Sequence, residues 1–143
     1  MNKIQTKACK LVKTKGFDKK INGSLMEIAS SRDKWSKFLD NAQVYLTTLN
    51  PRQKKGFHLH KLKTNQVACI KGKVILGIWD RKTIKNYVLD SKKPMMVRIP
   101  KMHALAFFNP SRTEEAFIIN LCSPPYDPKV PEQEDIDLPW KTK

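Results

Sequence analysis

An all-β fold, a sandwich or barrel of eight or so short strands, is what this sequence predicts, on three observations. From Gln43 onward apolar residues recur with a period of two, the spacing that puts alternate side chains on one face of a strand. The runs are short and end in polar turn signals such as Asn50-Pro51, Lys71-Gly72-Lys73, Asp80-Arg81-Lys82 and Asn109-Pro110-Ser111. Helical spacing is confined to one stretch near the N-terminus. Many short strands with little helix close into two packed layers or a barrel.

In chain order, residues 1–15 form a basic N-terminal arm. Gly23 opens Ser24-Leu25-Met26-Glu27-Ile28, an alternating run that reads as a strand. Trp35, Phe38 and Leu39 stand at helical spacing in residues 31–41, which predicts a short helix or an ordered loop there. The run from Val44 to Leu49 is rich in β-formers and stops at Asn50-Pro51. Further strands are expected over residues 56–62, 66–70, 74–79, 84–89, 95–99, 104–108 and 116–121. Residues 124–143 are proline-rich and acidic in the middle, and are expected to wrap the surface as an extended tail.

The 143 residues fit a single domain with room for a real core. No apolar run approaches the ~20 residues of a membrane span, and the basic start lacks the apolar stretch of a secretory signal. Cys9, Cys69 and Cys122 are odd in number and have no metal-ligand spacing; Cys69 and Cys122 sit in apolar runs and read as core residues. A cytoplasmic protein with no membrane partner is the expectation. The net charge of +15 raises nucleic acid as a partner. Yet the lysines are spread along the whole chain, only five basic residues are arginine, and no stretch interleaves basic and aromatic residues. The charge therefore reads as a solvated lysine surface whose positive potential suits an anionic small molecule, not a nucleic acid.

His58 and His60 carry the functional signal. Two apart on a strand, they share a face, with Leu59 on the other. They are followed by Asn65 and Gly72 at a spacing that resembles the first motif of the cupins, in which a His-x-His pair precedes an acidic ligand and a turn glycine. The resemblance implies a cupin-type double-stranded β-helix, or jelly roll. In metal-binding cupins the two histidines, a glutamate and a late histidine hold a divalent ion. Here Asn65 stands in the glutamate position and Leu105 where the late histidine falls, with His103 displaced by two residues. An amide and a leucine are poor substitutes in such a site, so a metal is not expected, and the resemblance implies no other cofactor.

Within the cupins the chain resembles the RmlC-like branch, the dTDP-4-dehydrorhamnose 3,5-epimerases and the dTDP-sugar 3,4-ketoisomerases. Four pieces carry the likeness: Gly16-Phe17-Asp18 with Gly23 to Glu27, Lys54 to Lys61, Met96-Val97-Arg98-Ile99-Pro100, and Tyr126-Asp127-Pro128 with Ile136 to Trp140. The likeness implies a metal-independent epimerase or isomerase of a nucleotide-linked 4-keto-6-deoxysugar, dTDP being the expected nucleotide. Carried over by position, His58 is the base, His60 the second histidine of the pair and Tyr126 the acid. Lys55 takes the place of a diphosphate-binding arginine, and Lys61, Asn65, Arg98 and His103 join it as substrate-binding residues. The family's partner aspartate for the base follows its closing Trp segment; here Asp135 or Asp137 would serve if the tail folds back. The likeness also implies a homodimer with N-terminal strands paired or exchanged. A non-catalytic cupin that binds a sugar or small anion is the alternative, and a metal-dependent cupin enzyme a third reading.

Overall fold

The structure, a computed structural model, describes residues 3–35 and 40–142. Its described residues form twelve strands: β1 (Gln5–Ala8), β2 (Leu11–Lys15), β3 (Ile21–Met26), β4 (Gln43–Leu49), β5 (Lys54–His60), β6 (Thr64–Lys71), β7 (Lys73–Trp79), β8 (Ile84–Asp90), β9 (Met95–Ile99), β10 (His103–Phe108), β11 (Ala116–Ser123) and β12 (Gln133–Asp135). Two five-stranded antiparallel sheets face one another, in the orders β1-β9-β6-β11-β4 and β12-β5-β10-β7-β8. Strands β2 and β3 form a separate hairpin.

Each expected strand is present, most within two residues of its expected ends. The basic arm differs from expectation: it contains β1, paired with β9, and β2. Residues 31–35 of the expected helix are turns, and residues 36–39 lie outside the described residues. Among the described residues no helix is long and apolar enough to cross a membrane.

Alternation builds the core. Val67 and Cys69 of β6, Leu76 and Val74 of β7, Val97 and Ile99 of β9, and Ile118 of β11 meet between the sheets with almost no exposure. A fully buried side chain of this size contributes roughly 1.5–3 kcal/mol. Cys122 is buried as well, and burial pushes the Cys69 thiol up to about 11, the behaviour of a small core residue.

Two glycines set the course of β5 and of the tail. Gly56 has φ +102°, and a Cβ there would lie 2.5 Å from the Leu105 carbonyl oxygen and 2.8 Å from Ala106 Cα. Only glycine lets β5 run this close to β10, beside the register shift between Leu105 and Phe107. At Gly77 a Cβ would meet the Trp140 ring at 2.7 Å. The bare backbone there seats Trp140, whose ring also makes an edge contact with Phe57 and whose Nε1 donates to Asn86 at 2.8 Å. Ile136, Leu138 and Trp140 pack with Phe57 and Leu59 on the outer face of the sheet, so the tail is folded back along β5.

Candidate active site

The alternation that sends Phe57 and Leu59 outward under the tail sends His58 and His60 inward, into a cavity of ≈ 380 Å³ between the sheets. Lys55, Asn65 and Tyr126 line the same cavity. Of the residues named from sequence, these five are therefore brought together.

Three are not, and strand parity explains two of them. Lys61 continues the outward series of Phe57 and Leu59, and its Nζ lies 3.5 Å from Glu134. Arg98 alternates with the buried Val97 and Ile99, so it stands on the outer face of its sheet beside the Trp35 ring. His103 is buried at the start of β10, and its Nδ1 donates to the Lys101 carbonyl at 3.1 Å. It lines a different cleft, ≈ 820 Å³, with Asp80, Arg81 and Lys101. Among the described residues no group of three or more His, Cys, Asp or Glu side chains converges as a metal-holding cluster.

The tail supplies both histidines with carboxylates. Strand β12 pairs antiparallel to β5, placing Asp135 opposite His58 and Gln133 opposite His60. His58 Nδ1 lies 2.7 Å from Asp135 Oδ1, and the Gln133 amide is 3.2 Å from the same nitrogen. A carboxylate only accepts, so it holds the proton on Nδ1 and leaves Nε2 as the basic nitrogen. The hydrogen bond and charge of His58 hold the Asp135 carboxyl below its usual value.

His60 is tied to Glu132 in the same way, at 3.1 Å, but both side chains are about nine-tenths buried, at 11% and 10% exposure. Burial lowers the His60 pKa and outweighs the opposing pull of Glu132; nearby Lys63 and His58 lower it further. Burial alone would raise the Glu132 carboxyl, but hydrogen bonds from His60 and from the Lys63 and Leu62 amides bring it below its usual value. The result is a neutral imidazole beside an ionised carboxylate.

Several cavity residues escaped the sequence reading. Lys63 is 7% exposed and lines the cavity, its Nζ over the rings of Tyr45 and Tyr126 at 5.9 and 5.4 Å. Its parity matches Asn65, Val67 and Cys69, which was a usable signal. Tyr45 likewise shares parity with Thr47 and the buried Leu49. Asn120 donates to Asn65 Oδ1 at 3.2 Å. Nothing in the sequence marked Glu132, because its place depends on the return of the tail.

Known proteins share both the family pattern and the fold. A family model described as FdtA: WxcM-like, C-terminal matches residues 7–131. No curated protein matches the chain. A dTDP sugar isomerase from Desulfovibrio desulfuricans G20 superposes with a TM-score of 0.79 at 17% identity, covering 94% of this chain and 83% of its own. The dTDP-6-deoxy-D-glucose-3,5-epimerase RmlC from Legionella pneumophila Philadelphia 1, in complex with dTDP-4-keto-L-rhamnose, gives 0.72 at 16% identity over 93% of this chain and 72% of its own. The capsular polysaccharide assembling protein CapF from Staphylococcus aureus gives 0.64 at 22% identity over 68% of this chain, which spans 29% of CapF's length. At these identities the likeness is one of fold: an RmlC-like cupin.

Proposed function

This chain belongs to the FdtA family (WxcM-like, C-terminal), and on that premise we propose that it is an epimerase or isomerase of a nucleotide-linked keto-deoxysugar. The observation that carries the reading is the His58–Asp135 pair: a histidine in a cavity, its Nδ1 held at 2.7 Å by a carboxylate, its Nε2 left as a base. Histidine titrates near working pH and suits proton abstraction beside a ketone. The carbon–hydrogen bond breaks, its proton goes to His58 Nε2, and the electron pair flows through the new carbon–carbon double bond onto the ketone oxygen. Return of a proton to the other face of the same carbon gives epimerisation; where that carbon bears a hydroxyl, return of the proton to the former ketone carbon, with the hydroxyl's proton passing to the enolate oxygen, moves the ketone.

Tyr126, on the cavity wall, is the proton-returning acid of this reading. His60, kept neutral by burial, holds a sugar oxygen, and Lys55, exposed at the cavity, meets the diphosphate. The dTDP sugar bound in the RmlC neighbour favours the same ligand class here. A homodimer belongs to the reading too: hairpin β2–β3 exposes Leu11, Val12, Ile21 and Leu25 and stands apart from both sheets, and such a hairpin needs a surface to pack on. The reading places the protein in the cytoplasm, where nucleotide sugars are handled.

The test is hydrogen exchange. The protein is incubated in heavy water with a panel of nucleotide-linked 4-keto-6-deoxysugars, beginning with the dTDP-4-keto-6-deoxyglucose form, and deuterium is read by NMR. Incorporation next to the ketone is expected. Saturable binding without incorporation would instead make the chain a sugar-binding cupin.

A further inference from the structure

An enolate needs a donor for its oxygen, and Asn65, read from sequence as a substrate-binding residue, offers only a neutral amide. The cavity offers a cation elsewhere. Lys63 lies just before β6, on the face that β6 turns to the interior, and is 7% exposed. No carboxylate among the described residues lies within ion-pair distance of its Nζ; Glu132 accepts from the Lys63 backbone amide instead. The ammonium lies over the faces of Tyr45 and Tyr126 at the cavity, paired with no acid where a substrate would sit.

Beside it lies a second uncompensated feature. The Asn65–Asn120 hydrogen bond uses one group from each amide and leaves Asn65 Nδ2 and Asn120 Oδ1 buried with no partner. Exchanging nitrogen and oxygen in both amides still leaves one N–H and one oxygen unpaired. Asn65 is 1% exposed, and both residues line the cavity. Buried polar groups without partners cost about 1–3 kcal/mol each, which a ligand with matching oxygens would offset.

We infer that Lys63 is a catalytic residue: with the spare N–H of the Asn65–Asn120 pair, its ammonium takes up the negative charge that develops on the ketone oxygen. This rests on the proton-transfer reading proposed above. The spare amide oxygen accepts from the hydroxyl on the adjacent sugar carbon, so the cluster recognises a ketone flanked by a hydroxyl. Preorganised donors in a cavity shielded from water act most strongly where charge appears only in the transition state. Lys63 is thus separated in role from Lys55, which is exposed and meets charge already present in the ground state.

The experiment compares Lys63→Met and Lys63→Arg with the unmodified chain in the exchange assay, with Kd for dTDP from calorimetry and Tm from thermal melts. Lys63→Met is expected to slow exchange by about 10²–10³-fold. It should leave Kd for dTDP within about threefold and Tm unchanged, since an apolar chain of similar length keeps the packing of the largely buried stem. Lys63→Arg should recover part of the rate. Full activity in Lys63→Met overturns the inference and leaves the proton-transfer reading standing. So does weakened dTDP binding with an unchanged rate at saturation, which would make Lys63 a diphosphate ligand. No exchange by the unmodified chain on any keto-sugar overturns both.

Discussion

His58 and His60 stand two residues apart on one face of β5, and each has a carboxylate on Nδ1, yet the two pairs sit in opposite surroundings. The His58 side chain is 36% exposed and its Asp135 partner 81%; for His60 and Glu132 the values are 11% and 10%. Water can replace Asp135 as an acceptor but cannot readily reach Glu132. The open pair meets solvent and the cavity, whereas burial favours a neutral imidazole in the closed pair and hydrogen bonds favour an ionised glutamate beside it. Glu132 also receives the Lys63 and Leu62 amides, so the closed pair anchors the chain leading into β6. One strand face thus carries a proton-transfer group and a structural hydrogen bonder.

The same substitution at the two positions gives the largest contrast. His58→Gln removes the base and is expected to slow deuterium exchange by about 10²–10⁴-fold. His60→Gln keeps a donor for Glu132 and a polar group in the cavity, and should slow exchange by no more than about tenfold. Equal losses in the two variants would dissolve the distinction; single-turnover exchange rates at saturating substrate measure it.

Removing charge from the carboxylates should invert the contrast, with stability as the main readout. Glu132→Gln leaves three donors sharing a weaker acceptor in a buried site, and a loss of about 1–3 kcal/mol is expected in urea denaturation. Asp135→Asn should leave the denaturation midpoint unchanged, because water substitutes for the carboxylate. Its effect belongs to the rate, on the order of 10–100-fold, through the lost hold on the His58 tautomer. An Asp135→Asn variant that unfolds early would show that β12 is held by this contact and not by Trp140 in its seat at Gly77.

The contrast also explains which parts of the molecule could be read from sequence. Strands with one face in the core announce themselves by alternation, as β4 does, and strands buried on both faces by short apolar runs between turn signals, as β6 and β10 do. Strands β1 and β2 are charged and half exposed, so the same sequence reads as a basic arm. Strand β12 is three exposed residues, Gln133 to Asp135, held through backbone pairing and the anchoring of Trp140. No periodicity marks it, and both carboxylates of the site arrive with it. The histidines were legible because period two fixes their shared face; their partners lie 72 and 77 residues away and depend on where the tail returns. Lys63 was legible by parity, but a lysine is so rarely buried that the surface is the default expectation. Lys61 and Arg98 were misplaced for the complementary reason: motif position was followed where strand parity pointed outward.

The smallest predicted effect separates the two pairs by pH alone. His60 in the folded chain titrates below its usual 6.5, so above pH 6.5 the imidazole is neutral in both folded and unfolded chains and contributes no pH dependence. As the pH falls through 6.5 the unfolded chain takes up a proton that the folded chain refuses, and stability declines until His60 is itself protonated in place. One such proton is worth at most about 1.4 kcal/mol per pH unit. Glu132, held below its usual 4.5, gives a separate loss further down: its contribution is present above 4.5 and disappears as the pH falls through the lowered folded value. Urea denaturation between pH 7.5 and about 5 should therefore show a decline through 6.5 that His60→Gln removes. A decline that persists unchanged in His60→Gln would assign the refused proton to another group and undo the neutral imidazole of the closed pair.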